Sequence, residues 1–122
     1  MPAPILIIDD DSRNIFALSA VLRAKGYTIL TAGTVAEALE LLPHHPNTGV
    51  VLLDMMMPEI DGYEAIPLLK KNAAPHSLPI ISVTAQAMSG DRERCIAAGA
   101  DDYLSKPVDV PRLMELLDHY LR

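Results

Sequence analysis

The sequence predicts an α/β domain, a parallel five-stranded sheet covered by helices on both sides, and three observations carry that reading. Strand-like and helix-like segments alternate five times with no low-complexity linker and no internal repeat, the pattern of consecutive βα units joined by right-handed crossovers. The runs Ile5-Leu6-Ile7-Ile8 and Val50-Val51-Leu52-Leu53 are continuously apolar rather than alternating, as strands buried on both faces are. With 122 residues, half of them apolar and about a fifth charged, residues 1–122 make one globular domain, too short for two.

The elements follow in order. After the first strand, Ser12 is placed to cap a helix whose apolar positions Ile15, Leu18 and Leu22 share one face, and Gly26 stops it. Tyr27 to Ala32 reads as the second strand. Thr34-Val35-Ala36-Glu37 has the form of a capping box, so a helix should run to about Leu42 before Pro43. Gly49 to Leu53 is the third strand. A helix follows Gly62, and Pro67 inside it should kink it or weaken its first turns. Pro79 to Val83 reads as strand four, Ser89 to Ala98 as helix four with Gly99 as its stop, and Asp102 to Leu104 as a short strand five. The last helix begins near Asp109, with Pro111 tolerated in its first turn.

Polar residues of particular kinds end four of the apolar runs: Asp9-Asp10-Asp11, Asp54, Thr84 and Lys106. If these strands are neighbours, three carboxylates, a hydroxyl and an ammonium meet at the carboxyl edge of the sheet, where open α/β sheets bind ligands. The first and third strands carry the carboxylates and are best placed side by side. That favours the order 2-1-3-4-5 of a flavodoxin-like (βα)5 doubly wound sandwich.

The chemistry follows from the residue types. An Asp pair after a buried strand is often only a loop starter, but Asp54 beside Asp9 and Asp10 changes the balance. Two carboxylates about 5 Å apart repel by roughly 3 kcal/mol at an effective dielectric of 20, against the ~5–15 kcal/mol that holds a whole domain folded. A divalent cation relieves this, and Mg²⁺ suits one or two carboxylates with a backbone carbonyl, water and a phosphate oxygen. Asp54 is followed by Met55-Met56-Met57-Pro58, which offers neither a second acid nor a base, so it reads as a nucleophile that accepts a group and keeps it. The methionines read as loop packing. Lys106, at the end of a short buried strand, needs an anion to meet, and Ala85 after Thr84 would leave the mouth of the site open. Tyr103 is compatible with plain core, His44 and His45 with a surface turn, and Asp91-Arg92-Glu93-Arg94 with a solvated helix face.

Composition excludes several classes. A net charge of −6 without a clustered Lys/Arg patch disfavours nucleic acid. No apolar run approaches a membrane span, and Asp9 to Asp11 interrupt the N-terminal run before it could serve as a signal peptide. The lone Cys95 cannot form an internal disulfide, so a reducing cytoplasm is the expected location.

Asp9-Asp10, the segment Val51 to Gly62, Thr84-Ala85 and Lys106-Pro107 resemble the receiver domains of two-component response regulators. The intervals of 44, 30 and 22 residues from Asp10 to Asp54 to Thr84 to Lys106 fit that family. Ser12-Arg13-Asn14, Thr84-Ala85-Gln86-Ala87-Met88, Gly90-Asp91-Arg92 and Ala98-Gly99-Ala100 look most like receivers of hybrid sensor kinases or single-domain receivers close to them. The resemblance implies that Asp54 is the phosphoacceptor and that Asp10, Asp54 and the backbone carbonyl of Met56 bind Mg²⁺ directly, with Asp9 acting through water. It implies that Lys106, across a cis bond to Pro107, pairs with the phosphoryl oxygens, that Thr84 hydrogen-bonds the group and that Tyr103 is the aromatic switch. The implied donor is a phosphohistidine on a sensor histidine kinase or histidine-phosphotransfer domain, and the implied output is a change in affinity for a downstream protein, with no membrane or nucleic acid involved.

Such a chain would catalyse only its own phosphorylation and dephosphorylation. Two other readings remain open at this point, a Mg²⁺-dependent phosphohydrolase using Asp54 and an unphosphorylated docking scaffold. No DNA-binding or enzymatic output segment is expected after the fifth helix.

Overall fold

The computed structural model describes residues 3–57, 62–73, 78–84 and 90–121. The strands β1 (Ile5–Ile8), β2 (Ile29–Ala32), β3 (Val50–Asp54), β4 (Ile80–Thr84) and β5 (Asp102–Ser105) pair in parallel in the order β2-β1-β3-β4-β5. That is the expected flavodoxin-like order. The helices are α1 (Ser12–Ala24), α2 (Val35–Leu41), α3 (Gly62–Ala73), α4 (Asp91–Ala98) and α5 (Val110–Tyr120), and a 3-10 turn (Leu42–His44) follows α2.

Because side chains alternate across a strand, the sheet separates two cores. Leu6, Ile8, Val51, Leu53 and Ile80 pack on one face with Ala38 of α2, Ile66 and Leu69 of α3 and Cys95 of α4. Ile5, Ile7, Val50, Leu52, Ile81 and Val83 pack on the other with Leu22 of α1 and Leu113 and Leu117 of α5. The central strands β1 and β3 are buried throughout, which explains their unbroken apolarity.

Local chemistry accounts for the ends of the elements. Asp11, not Ser12, caps α1: its carboxylate accepts from the Arg13 N–H at 2.9 Å while Ser12 is already helical. Asp and Ser rank equally as caps, and the carboxylate has the added attraction of the positive helix end. Tyr27 donates its N–H to Leu22 O at 3.1 Å and so belongs to the exit of α1, leaving β2 shorter than Tyr27 to Ala32. The capping box of α2 forms with one change, since Glu37 N–H donates to Thr34 Oγ1 at 3.0 Å but the Glu37 carboxylate accepts from Gly33 N–H at 3.3 Å.

Helix α3 is continuous through Pro67, which lies on its exposed side. No break in the helix accompanies the proline. The expected start of α4 at Ser89 lies outside the described residues, as does Ala85 to Met88; the helix follows Gly90 and ends at Gly99, whose φ of 116° is open to few residues but glycine. A Cβ on Gly99 would stand 3.1 Å from Ile66 Cγ2, so the small residue also lets α4 close on α3.

The charged stretch at the start of α4 is not a wholly solvated face. Asp91 is buried, and the Arg94 guanidinium lies 4.4 Å over the ring of Tyr63. Pro111 sits in the first turn of α5 after Asp109, as expected. Among the described residues, no helix is long and apolar enough to cross a membrane.

Candidate functional site

Register brings the strand ends together. Ile8 pairs with Leu53, Asp54 with Val83 and Thr84 with Ser105, so Asp9, Asp54, Thr84 and Lys106 all emerge at one edge of the sheet. The ladder extends one residue beyond the apolar runs: Met55 N–H donates to Val83 O at 2.9 Å and Lys106 N–H to Thr84 O at 2.7 Å. Asp54 and Thr84 are thereby held on strands rather than on free loops.

Asp9, Asp10 and Asp54 each offer a carboxylate oxygen, all within 4.8 Å of one another, the group among the described residues with the makings of a metal site. Asp9 and Asp54 are buried and Asp10 is exposed. Asp9 accepts from Asp11 N–H at 2.9 Å, and Asp54 Oδ1 from Met56 N–H at 3.0 Å. Lys106 Nζ stands 3.3 Å from Asp54 Oδ1 and 3.9 Å from Asp9 Oδ2. Its bond to Pro107 is cis.

One ammonium thus meets two of the three carboxylates. Burial, opposed by the Asp11 N–H and reinforced by the charge of Asp54, holds the Asp9 carboxyl above its ordinary value, and Lys106 only partly offsets this. Excess negative charge in a partly dry site, with open carboxylate oxygens converging on one point, fits a small hard divalent cation. Behind the cluster lies a cavity of about 540 Å³ between the sheet, α1 and the segment after β5. Asp9, Asp54, Lys106 and Asn14 border it, and Leu18, Leu52 and Val83 are among its apolar walls.

Thr84 is buried at the end of β4, and Tyr103 is half-buried on β5. Since Ser82 pairs with Tyr103 and Thr84 with Ser105, Thr84 and Tyr103 share the sheet face covered by α3 and α4. Burial first, then the charge of Asp91, raises the Tyr103 phenol above its ordinary value.

Of the three methionines, Met55 and Met57 are buried as expected of loop packing, while Met56 is half exposed beside the site. His44 is exposed in the 3-10 turn and His45 follows it, away from the carboxylate cluster. Sequence reasoning gave Asn14 no role at the site and placed Asp91 on a solvated helix face. Both lie on helices, where only the packing of α1 and α4 shows which way a polar side chain turns.

With this geometry in view, the comparisons are consistent. The chain matches the model of the response regulator receiver domain over residues 5–118. It is 36% identical over 122 residues to the polar-differentiation response regulator DivK of Brucella ovis, covering 99% of this chain and 98% of that protein. Its structure resembles a CheY-like response regulator receiver domain protein from Methanospirillum hungatei, with TM-score 0.87, 29% identity and coverage of 99% and 94% of the two chains. A further likeness is one of fold alone: the receiver domain of Ssk1, solved with the histidine phosphotransfer protein Ypd1 of Saccharomyces cerevisiae, at TM-score 0.85 and 22% identity over 98% and 89% of the chains. The fold and site define a receiver of two-component phosphorelay signalling. The chain belongs to the response regulator receiver domain family.

Proposed function

We propose that residues 1–122 act as one phosphoacceptor domain in which Asp54 takes a phosphoryl group from a phosphohistidine, in a Mg²⁺-dependent reaction. The observation that carries this is the placement of Lys106 Nζ, 3.3 Å from Asp54 Oδ1, at the rim of three converging carboxylates. A carboxylate oxygen of Asp54 forms the new P–O bond in line as the P–N bond to the donor imidazole breaks, and the electron pair of that bond stays on the departing nitrogen. The Lys106 ammonium, held until then by Asp54 and Asp9, turns to the phosphoryl oxygens.

Asp9, Asp10, Asp54 and the backbone carbonyl of Met56 are the groups that would hold Mg²⁺. When bound it supplies neutralising charge to the carboxylates and to the incoming phosphoryl oxygens.

The phosphoryl group brings up to about two negative charges and three acceptor oxygens to the edge of β3. The Thr84 hydroxyl, one strand away, turns toward them, and the Tyr103 ring on the same sheet face follows into the space released. The surface of α4, β5 and α5 changes with it, which alters affinity for a downstream protein. The donor is a sensor histidine kinase or a histidine-phosphotransfer domain, the kind of partner with which Ssk1 was solved. The domain works in the cytoplasm, on proteins rather than on membrane or nucleic acid, and catalyses only its own phosphorylation and dephosphorylation.

Labelling with a small phosphodonor and Mg²⁺ tests the reading. One hydroxylamine-labile phosphoryl group should appear per chain and vanish in Asp54→Ala, and Thr84→Ala should be labelled yet lose most of the spectral change around Tyr103. Equal labelling of Asp54→Ala would refute it.

A further inference from the structure

Ser82 lies in the middle of β4 and is fully buried, yet its Oγ has no hydrogen-bond partner among the described residues. Side chains alternate along the strand, so Ile80, Ser82 and Thr84 all face α3 and α4. Elsewhere on that face the fully buried strand positions are aliphatic, at Leu6, Ile8, Val51, Leu53 and Ile80. An aliphatic residue at position 82 would add apolar contact and remove a hydroxyl whose desolvation nothing offsets. Neither packing nor hydrogen bonding in the unphosphorylated protein therefore accounts for a serine here.

Its neighbours supply the reason. Register sets Ser82 directly beside Leu53 on one side and Tyr103 on the other, with Thr84 two residues further along β4 on the same face. Adjacent strands lie about 4.8 Å apart, and a tyrosine ring reaches farther than that from its own backbone, so a ring that turns toward the sheet lies over the neighbouring strand. For Tyr103 that strand is β4, because β5 is the edge of the sheet. The side chains beneath an inward ring are then Ser82 and Thr84. Thr84 clears its part of that floor when its hydroxyl turns to the phosphoryl group. Ser82 has no such move, so it has to be small.

We propose that Ser82 is a positioning residue of the switch, its small side chain leaving the floor over which the Tyr103 ring turns inward. Size is what the position requires, and the buried hydroxyl is carried at a cost to stability. The inference rests on the reading of Tyr103 as the residue that follows Thr84, and adds to it the residue that decides whether the ring has room.

Comparison of wild type, Ser82→Ala, Ser82→Val and Ser82→Leu tests it, each with ¹³C-labelled tyrosine rings, before and after reaction with acetyl phosphate and Mg²⁺. Tyr103→Phe assigns the Tyr103 signal among the four tyrosines. Ser82→Ala should be phosphorylated and show the full ring shift, with an unchanged or higher melting temperature, since it removes only an unpartnered hydroxyl. Ser82→Val should be phosphorylated as completely as wild type yet lose most of the shift, and Ser82→Leu should lose all of it. The smaller valine decides the matter if overpacking by leucine prevents folding. Full switching in Ser82→Val, or loss of the shift in Ser82→Ala, overturns the proposal. So does a folded Ser82→Val protein that is no longer phosphorylated, since a residue that acts only on the ring leaves the chemistry of Asp54 intact. A wild-type ring that does not shift on phosphorylation overturns the reading of Tyr103 and this inference with it, a failure visible in the wild type alone.

Discussion

Replacing Asp9 by Asn removes one buried charge and almost nothing else, because the amide oxygen keeps the bond that Asp9 accepts from Asp11 N–H at 2.9 Å. The electrostatic terms can be weighed one by one. At an effective dielectric of 20, the repulsion between carboxylate oxygens of Asp9 and Asp54 as far apart as 4.8 Å is ~3.5 kcal/mol, and the attraction of Lys106 Nζ for Asp9 at 3.9 Å is ~4.3 kcal/mol. These nearly cancel. Desolvation then decides, since the Asp9 side chain is only 5% exposed, and it acts against the charged form. The carboxyl is accordingly held above its ordinary value, so the folded state binds the proton more tightly than the unfolded one. Stability from Asp9 is therefore full below the unfolded carboxylate range and is lost as pH rises through the folded value. At neutral pH without metal, charged Asp9 is a net cost.

Asp9→Asn should then raise the stability of the metal-free protein at neutral pH by about 1 kcal/mol, the ordinary order of a single substitution's effect. For a chain of this length that is a rise of about 4 °C in melting temperature. In acid, where Asp9 is protonated in both states, the gain should disappear. Millimolar Mg²⁺ should stabilise the wild type more than the variant and so narrow or reverse the difference. Thermal unfolding in chelator and in Mg²⁺, at neutral and at acid pH, reads all four values. An Asp9→Asn protein less stable than wild type in chelator at neutral pH, or a gain independent of pH, would refute the reasoning.

Two further outcomes follow from the far end of the sheet. The Asp101 carboxylate accepts from the N–H of fully buried Ile80 at 2.8 Å and pairs with Lys70, so Asp101→Ala should cost about 1–3 kcal/mol in urea unfolding and speed exchange of the Ile80 amide. Asp101→Asn keeps the acceptor and loses a partly exposed ion pair, so it should cost less than about 1 kcal/mol; equal costs would contradict the account. The Tyr120 phenol donates to Asp101 O at 2.8 Å beside Asp102, and burial, then the Asp102 charge, leaves it pushed up to about 12. Its contribution to stability is present below the ordinary tyrosine value of 10.0 and is lost as pH rises toward about 12. Alkaline unfolding should therefore lose part of its pH dependence in Tyr120→Phe, and an unchanged alkaline limb would count against it.

The sequence by itself determined what depends on neighbours along the chain. Unbroken apolarity marked β1 and β3 as doubly covered strands, Thr34 and Glu37 marked the start of α2, Gly99 the end of α4, and Pro111 the first turn of α5. The acids, hydroxyl and ammonium at the strand ends were legible for the same reason, each standing where an apolar run stops. What such signals cannot carry is distance between segments. Only the parallel register of β1, β3, β4 and β5 gathered three carboxylates within 4.8 Å and laid Lys106 between two of them. Tertiary structure likewise decided between near-equal local alternatives, choosing Asp11 over Ser12 as the cap of α1 and turning Tyr27 out of β2. It also buried Asp91 and Ser19, two polar residues on helices whose sequence gives no sign of it. A helix displays its side chains all around its axis, so which of them face the core is set by where the crossover lays that helix on the sheet, and this is a property of the packed chain.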